Sequence, residues 1–347
     1  QTPKLFPSIA ILPFVNISND PEQEYFCDGM TEEIINALSN VENIKVIART
    51  SAFAFKGKQE DIREIGNKLD VCHLLEGSVR KAGNRLRITA QLINVDDGSH
   101  LWSQKFDREL EDIFSVQDEI SNAIVEILKV KLKENDKVKI EMRPTNNVEA
   151  YEKYLMGNKY YHMSGLENLQ KAFEYYQRAV ELEPQFAEAY LGIACVYYYY
   201  YRDYLNSKKN IDILLQFNQK HSLAYILLGK INLHYEFDFT SAEHNYKKGI
   251  SLSPGAGEAH FQYASFLTTI GRHDEALLEA ERGRELDPLS WKLFYLYMDI
   301  YISLQKFDKA IEIYKKAIQS NQGQWWFFIE ELGRIYYLTG KYEEALD

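Results

Sequence analysis

A period of 34 residues runs through the second half of the chain and constrains its fold more than any other feature. Each unit carries an alanine, a tyrosine or alanine four positions later, then a small residue, and in most units a closing proline. The leading alanines are Ala172, Ala242, Ala276 and Ala310. A fixed period of this length is typical of solenoids, in which each helix pair buries its apolar face only against the next pair.

Small residues also recur where the first helix of each pair would cross the second: Gly157, Ala194, Gly229, Ala264 and Gly333. They let two helices approach closely, and the proline then ends the second helix because it lacks an N–H and clashes with the preceding turn. This pattern resembles the tetratricopeptide repeat. It predicts about five full repeats and a truncated sixth, with bounds at 146–186, 187–221, 222–256, 257–290, 291–325 and 326–347.

Tyrosine usage divides the chain into two parts of different construction. Tyr25 is the only tyrosine before residue 143, whereas the chain has 25 in total. A polar segment, Arg143–Asn147, lies at the change. We therefore predict an α/β domain over residues 1–142 and an all-α repeat superhelix over residues 143–347.

The first part begins with alternating strand and helix patterns. Ser8–Val15 is a short apolar run of the buried-strand type, and Thr31–Leu38 follows as a helix that Thr31 could cap. Ile44–Ala48 is a second strand, and Asp61–Leu69 places its apolar residues on one helical face. This order is the signature of a layered α/β domain.

Three further strands and a helix complete this domain. The predicted strands are Leu74–Lys81, Arg85–Val95 and Ser99–Phe106, separated by short Gly-containing turns. The second strand alternates apolar and polar residues, as expected for a sheet with one wet face. Apolar residues at helical spacing over Ile113–Ile127 predict the closing helix.

Five sequence blocks of this domain occur in an order and spacing that resemble the TolB N-terminal-like domain. They begin at Ser8, Tyr25, Val46, Leu75 and Gly98 and include Ser-Ile-Ala-Ile-Leu-Pro-Phe and Leu-Glu-Gly-Ser-Val. The resemblance covers roughly residues 7–133 and implies a small α/β domain without catalytic residues. Such domains precede tetratricopeptide repeats in bacterial signalling proteins. The layout is similar to that of CadC-type sensors and of proteins with an N-terminal adenylate cyclase, kinase or winged-helix domain.

Charge and hydropathy narrow the function classes. The net charge is −11, shared as −6 through Glu141 and −5 from Arg143 onward, so neither part has the basic footprint of a nucleic-acid-binding domain. No apolar run approaches the ~18–20 residues of a membrane helix. Because the sequence begins at Gln1 without Met, we expect an excised fragment whose missing flanks carry any membrane anchor. The compartment, cytoplasmic or periplasmic, is left open.

Motifs for catalysis, cofactors or metals are not found in the sequence. No Gly-rich phosphate loop follows either early strand, and the eight histidines are scattered. Asp28-Gly29 is interpreted either as a turn before a helix or as a group that faces an anion or other ligand. We therefore predict no catalytic residue, no cofactor and no metal ligand.

The repeat phase predicts which side chains line a concave groove formed by the first helices. They are Tyr154, Asn158, Tyr161, Tyr198, Lys230, Phe261, Ser265, Tyr295, Asp299, Arg334 and Tyr337. Tyrosine combines a large contact area with one polar group, which suits binding surfaces, but it also suits a repeat core. The run Tyr197–Tyr201 exceeds one helical turn, so some of its rings cannot be core.

Two function classes follow from these observations. The first is a non-enzymatic scaffold or sensory-regulatory module that binds a protein or peptide in the groove, with a homodimer as an open alternative. The second is a small-molecule sensor with its ligand between the α/β domain and the first repeats, regulating an output domain outside this sequence. An enzyme in its own right is the third and least supported alternative.

Overall fold

A mixed six-stranded sheet organises the first part of the chain in the computed structural model, which describes residues 6–18, 20–130, 145–163, 165–319, 325–343 and 345. The strand order is β3-β1-β4-β5-β6, and β2 pairs with β4. The strands are β1 (Ser8–Ile11), β2 (Val15–Asn16), β3 (Lys45–Val46), β4 (His73–Ala82), β5 (Arg85–Asn94) and β6 (His100–Glu109). The short strands pair in parallel and the three long ones form an antiparallel meander. The predicted α/β organisation is confirmed.

Four helices accompany this sheet: α1 (Glu24–Ser39), α2 (Arg49–Phe53), α3 (Ile62–Leu69) and α4 (Ile113–Ile127). The apolar stripe of α4 is fully buried, with Ile113, Val116, Ile120 and Ile124 all inaccessible to solvent. Asp61 caps α3 by accepting a hydrogen bond from the Arg63 N–H at 2.8 Å. Local pattern and capping therefore place these helices much as the sequence predicts.

The start of α1 is the main correction in this part. The helix begins at Glu24, so Thr31 lies in its interior and does not cap it. The Thr31 hydroxyl donates to the Cys27 carbonyl at 2.8 Å and accepts from the Phe14 N–H at 3.0 Å. It thus ties the loop after β1 to α1. Asp28 and Gly29 are likewise interior residues of α1 rather than a turn.

Helix pairs follow, as the repeat period predicts. Their helices are α5 (Val148–His162), α6 (Leu166–Leu182), α7 (Ala187–Val196), α8 (Tyr204–Phe217), α9 (Ser222–Ile231), α10 (Phe239–Leu252), α11 (Gly257–Thr269), α12 (His273–Leu286), α13 (Trp291–Ser303), α14 (Phe307–Gln319) and α15 (Trp325–Leu338). Each predicted repeat contains one pair, and α15 is the first helix of the sixth. The fold of this part is therefore a series of tetratricopeptide-like repeats.

The periodic residues explain how each pair closes. Tyr176, Tyr246 and Tyr314 are at most 2% exposed, and each occupies the same place in the second helix of its repeat. The Tyr176 ring fits beside α5 because residue 157 is glycine, where a Cβ would lie 2.5 Å from the ring. A large residue in one helix thus requires a small one in its partner.

The first helices of the second and third repeats end in the same irregular way. Tyr197–Tyr201 and Asn232–Glu236 are π-helical turns that continue α7 and α9. Each turn ends in a left-handed residue, Arg202 or Phe237, both with φ of 55°. Within the tyrosine run, Tyr198 is buried while Tyr199 and Tyr201 are 41% and 45% exposed, which confirms that some of its rings lie outside the core.

One hydrophobic core runs from the sheet into the first repeat. It joins residues of β1, α1 and α4 to Tyr151 and Leu155 of α5. Tyr151 is fully buried, packs edge-on against Phe114 at 4.8 Å between ring centroids, and accepts a hydrogen bond from Gln117 at 3.1 Å. Lys81 of β4 and Glu152 of α5 form an ion pair beside it.

The chain divides into two compact units, residues 1–256 and 257–347. The first holds the sheet, its helices and α5 to α10, so the first three repeats belong to the same unit as the sheet. The predicted boundary at residue 142 lies outside the described residues.

Gly29 provides a direct test of this packing. A Cβ at this position would lie 2.3 Å from Cδ2 of Leu155, which is itself buried and has no space to move away. In an exposed helix Gly→Ala stabilises by about 1 kcal/mol. Here we expect Gly29→Ala to destabilise by about 1–3 kcal/mol because it overpacks the contact between α1 and α5.

Urea unfolding of the wild type, Gly29→Ala, Leu155→Ala and the double variant measures the coupling. Leu155→Ala removes the obstructing side chain, so the two effects should fail to add by more than ~0.5 kcal/mol. Additive effects, or a stabilised Gly29→Ala protein, would show that this contact does not hold the repeat to the sheet.

Candidate binding site

The predicted groove residues of the first unit divide into core and surface. Tyr154 packs against three rings, those of Tyr151, Tyr176 and Phe186, with centroids 5.1–6.4 Å away. Tyr198 is only 4% exposed. These two side chains are therefore structural, because helix A of an early repeat also faces the sheet domain and its own partner helix.

Three other predicted groove residues of this unit lie at partly exposed positions. Asn158 accepts a hydrogen bond from the Tyr176 hydroxyl at 2.8 Å. Tyr161 is partly buried at the end of α5. The Lys230 ammonium donates to the Tyr199 hydroxyl at 2.7 Å and lies 4.7 Å from the centre of that ring. Aromatic and cationic groups thus meet on the surface of α7 and α9.

The predicted groove residues of the second unit are more exposed. Tyr295 is 37% exposed and Tyr337 is 66% exposed, and Asp299 and Arg334 are also exposed. Tyr295 and Asp299 lie one turn apart on α13, while Arg334 and Tyr337 lie one turn apart on α15. Phe261 and Ser265 on α11 are partly buried. Successive first helices of this unit therefore present tyrosine beside charge.

A cavity of about 270 Å³ lies between α1, α2 and α5 in the first unit. Its lining includes the carboxylates of Glu24, Asp28 and Glu32, and the cationic side chains of Arg49, Lys56 and Lys159. Asn158, predicted for the groove, lines this cavity together with His162. Pockets for drug-sized ligands span ~300–1,000 Å³, so this space suits a smaller molecule.

Ion pairs order the charged walls of this cavity. Lys56 lies 2.6 Å from the Asp28 carboxylate and 3.0 Å from that of Glu24. Arg49 pairs with Glu32 and stacks over the Phe53 ring at 4.0 Å. Burial raises the pKa of Asp28 and of Glu32 in spite of these cations. The site therefore combines both signs of charge in partly desolvated surroundings.

A second group of carboxylates joins α1 to the second repeat. Burial and the neighbouring Glu188 raise the pKa of Glu33 to about 8, and burial raises that of Glu188 to about 7. Glu188 Oε1 lies 4.0 Å from His221 Nε2, and burial lowers the pKa of His221 to about 4. Near neutral pH the imidazole is thus uncharged and the carboxylates hold protons.

Sequence reasoning identified only part of this region. Asp28-Gly29 was noted as a place to face a ligand, and it does line the cavity, but from the interior of α1. Arg49 belongs to one of the five sequence blocks, Val46–Thr50, yet nothing in that block announces a binding role. Lys56 and Lys159 had no local signal, because only the docking of α5 on α1 brings them together.

No group of three or more His, Cys, Asp or Glu residues in the described ranges is placed to hold a metal ion. Among the same residues no helix is both long and apolar enough to cross a membrane.

Family comparisons separate the two parts of the chain. Residues 5–123 match the HilA/YgeH-like transcriptional regulator, second domain. The matching family is thus a HilA-like one and not the TolB-like one suggested by the sequence blocks. Residues 164–186 and 293–324 match the tetratricopeptide repeat. The repeats predicted from the 34-residue period are confirmed.

Individual relatives cover only parts of the chain. It is 45% identical over 190 residues to a Rhizobium meliloti (strain 1021) protein named "Putative adenylate cyclase 3", a match that covers 55% of this chain and 32% of that protein. It is 27% identical over 82 residues, 24% of this chain and 23% of the other, to "Small glutamine-rich tetratricopeptide repeat-containing protein 2" of Mycosarcoma maydis. The chain spans about a third or less of the length of these curated relatives.

Solved structures support the repeat fold. The type IV pilus biogenesis factor PilW is 13% identical, with a TM-score of 0.50, and the match covers 58% of this chain and 90% of that one. At this identity the similarity shows the fold alone. Repeats of this fold suggest a protein–protein interaction scaffold and are not in themselves catalytic.

Glu33 makes a pH-dependent contribution that can be measured. Its pKa is about 8 in the folded chain and near 4.5 when unfolded, so the unfolded chain releases this proton first as pH rises. Folding stability therefore falls between about pH 4.5 and pH 8. Glu33→Gln should remove this loss and be more stable than the wild type at pH 8 by on the order of 1 kcal/mol.

The measurement is urea unfolding of both proteins at pH 5 and pH 8, with Glu109→Gln as the control. Glu109 is an exposed carboxylate on β6, so its replacement should leave the difference between the two pH values unchanged. A Glu33→Gln protein with the same pH dependence as the wild type would mean that Glu33 is solvated and ionised.

Proposed function

We propose that this chain is the non-enzymatic binding part of a bacterial signalling protein, acting as a scaffold or sensory-regulatory module. A protein or peptide would bind on the face formed by the first helices of the repeats. The matches to the tetratricopeptide repeat and the repeat fold support this proposal. It assigns no catalytic residue, cofactor or metal to this stretch of chain.

The observation that carries the proposal is the exposed side-chain pattern on α13 and α15. Two half- to largely exposed tyrosines, Tyr295 and Tyr337, each lie one turn from a charged residue. Exposed tyrosine provides contact area at low entropic cost, and an adjacent charge provides orientation. The side chains that turned out to be core, Tyr154 and Tyr198, are not part of this proposed surface.

The regulated activity would lie in another part of a longer protein. Similarity to a protein named as an adenylate cyclase supports a cyclase as one such output, and the HilA-like match supports a transcriptional one. Neither activity would reside in the residues described. The acidic charge of both parts disfavours direct nucleic-acid binding by this stretch.

Replacing two side chains of the exposed face tests the scaffold. Tyr295→Ala with Arg334→Ala should lower the capture of partner proteins from a lysate of the source cell at least tenfold, because truncated hot-spot residues cost ~2 kcal/mol or more each. Capture is quantified by mass spectrometry with the whole chain as bait. Circular dichroism verifies that the variant is folded.

Leu278→Ala is the matched control, since Leu278 is 59% exposed on α12, a second helix of the same unit. It should leave capture unchanged. Equal capture by the wild type and the double variant would remove the proposed surface from consideration.

The cavity between α1, α2 and α5 favours a second candidate function, a small-molecule sensor. Its three carboxylates and three cationic side chains balance, apart from His162. A cation or an anion entering this space would leave one set of charges uncompensated, which is costly in partly buried surroundings. A zwitterion such as a free amino acid can pair with Arg49 at one end and with Asp28 or Glu32 at the other.

Thermal-shift measurements with the amino acids test this candidate. A ligand that binds only the folded chain stabilises it by about 2.7 kcal/mol at 100-fold excess over Kd, which raises Tm measurably. Arg49→Gln should abolish the shift, and Lys209→Gln, on the exposed face of α8, should preserve it. No shift with any amino acid, or an unchanged shift in Arg49→Gln, would contradict the sensor.

A further inference from the structure

The sheet of the first unit has one long, exposed edge. β6 is the outermost strand, and within the described residues it pairs only with β5. It runs for ten residues, whereas β3 at the opposite edge has two. Most side chains of β6 are exposed, including Leu101 at 41%. Such an edge is a template for adding another strand.

The outward main-chain groups of this edge belong to the odd-numbered residues. The Leu110 N–H donates to the Asn84 carbonyl at 2.9 Å, so even-numbered residues of β6 turn their N–H and C=O groups toward β5. The odd-numbered residues Leu101, Ser103, Lys105, Asp107 and Glu109 therefore turn theirs outward. Their side chains stand on the wet face, opposite the face on which Phe106 is buried.

We propose that β6 pairs with β6 of a second copy of this chain, antiparallel about a two-fold axis at Phe106, so that Lys105 of each copy faces Asp107 of the other. A two-fold interface uses the same patch on both copies, and an antiparallel strand pair satisfies that requirement. The two sheets would then form one continuous sheet.

Charge selects this register among the neighbouring ones. With the axis at Lys105, the two lysines face each other, and with the axis at Asp107 the two aspartates do. Like charges directly opposite destabilise a strand pair, whereas opposite charges stabilise it by ~0.2–1 kcal/mol. With the axis at Phe106, two Lys105–Asp107 pairs form at once.

The existing contacts of Asp107 extend this arrangement. Arg87 on β5 already donates to the Asp107 carboxylate at 2.8 Å, and its hydrogen bonds hold the pKa of that carboxyl below its usual value. Lys105 of the second copy would approach the carboxylate from the other side. The order Arg87, Asp107 and Lys105 across the joined sheet then alternates in charge.

Strand pairing over one edge makes a small interface. Interfaces below ~1,200 Å² are typical of weak association, so the dimer should form with a micromolar Kd. This association does not depend on the proposed groove or cavity. A chain that captures no partner and binds no amino acid can still form it.

Sedimentation velocity of the whole chain from about 1 µM to about 100 µM tests the proposal, because this range brackets a weak interface. We expect a concentration-dependent shift toward the dimer. Lys105→Asp and Asp107→Lys should each raise Kd at least about tenfold, since each places like charges opposite one another twice. The double variant Lys105→Asp with Asp107→Lys should regain wild-type association.

Lys209→Asp on α8 is the control for a change in net charge, and it should associate as the wild type does. Circular dichroism of each variant verifies folding, and recovery in the double variant excludes misfolding as the cause of the loss. A chain that is monomeric throughout the range would overturn the proposal. So would single variants that associate normally, or a double variant no better than the singles.

Discussion

The packing of α5 against the sheet domain is the contact on which the first unit depends. Tyr151 buries a whole ring against Phe114, and its hydroxyl is satisfied by Gln117. Leu155 occupies the space that a side chain at Gly29 would need. A repeat array normally has a terminal helix pair with a polar outer face. Here the sheet domain covers that face, so the first repeat needs no separate cap.

This docking also determines where function can lie. It brings cationic side chains of α2 and α5 beside carboxylates of α1 and so creates the charged cavity. It uses Tyr154 for packing, which removes that ring from any binding surface. The remaining exposed tyrosines occur farther along the chain, on α13 and α15. The proposed scaffold and sensor functions therefore use different parts of the molecule.

The sequence predicts what depends on local periodicity and misses what depends on docking. The 34-residue period located the helix pairs, and the alternation in β5 located a strand with one wet face. Thr31 was mistaken for a cap because its hydroxyl serves the Phe14 N–H, a contact 17 residues away. Repeat phase placed Tyr198 in the groove, but it cannot show that a π-helical turn buries this ring. Lys56 and Lys159 meet across 103 residues of sequence, and no local pattern encodes that meeting.

Native-state hydrogen exchange tests most directly whether the sheet and the first three repeats form one cooperative unit. The account predicts that the slowest amides of β4, β5, α1, α5 and α6 exchange through the same opening reaction, with one free energy and one denaturant dependence. Gly29→Ala should lower that free energy equally in all five elements. Slow amides of α5 and α6 that open well below those of β4 and β5, and do not respond to Gly29→Ala, would contradict it.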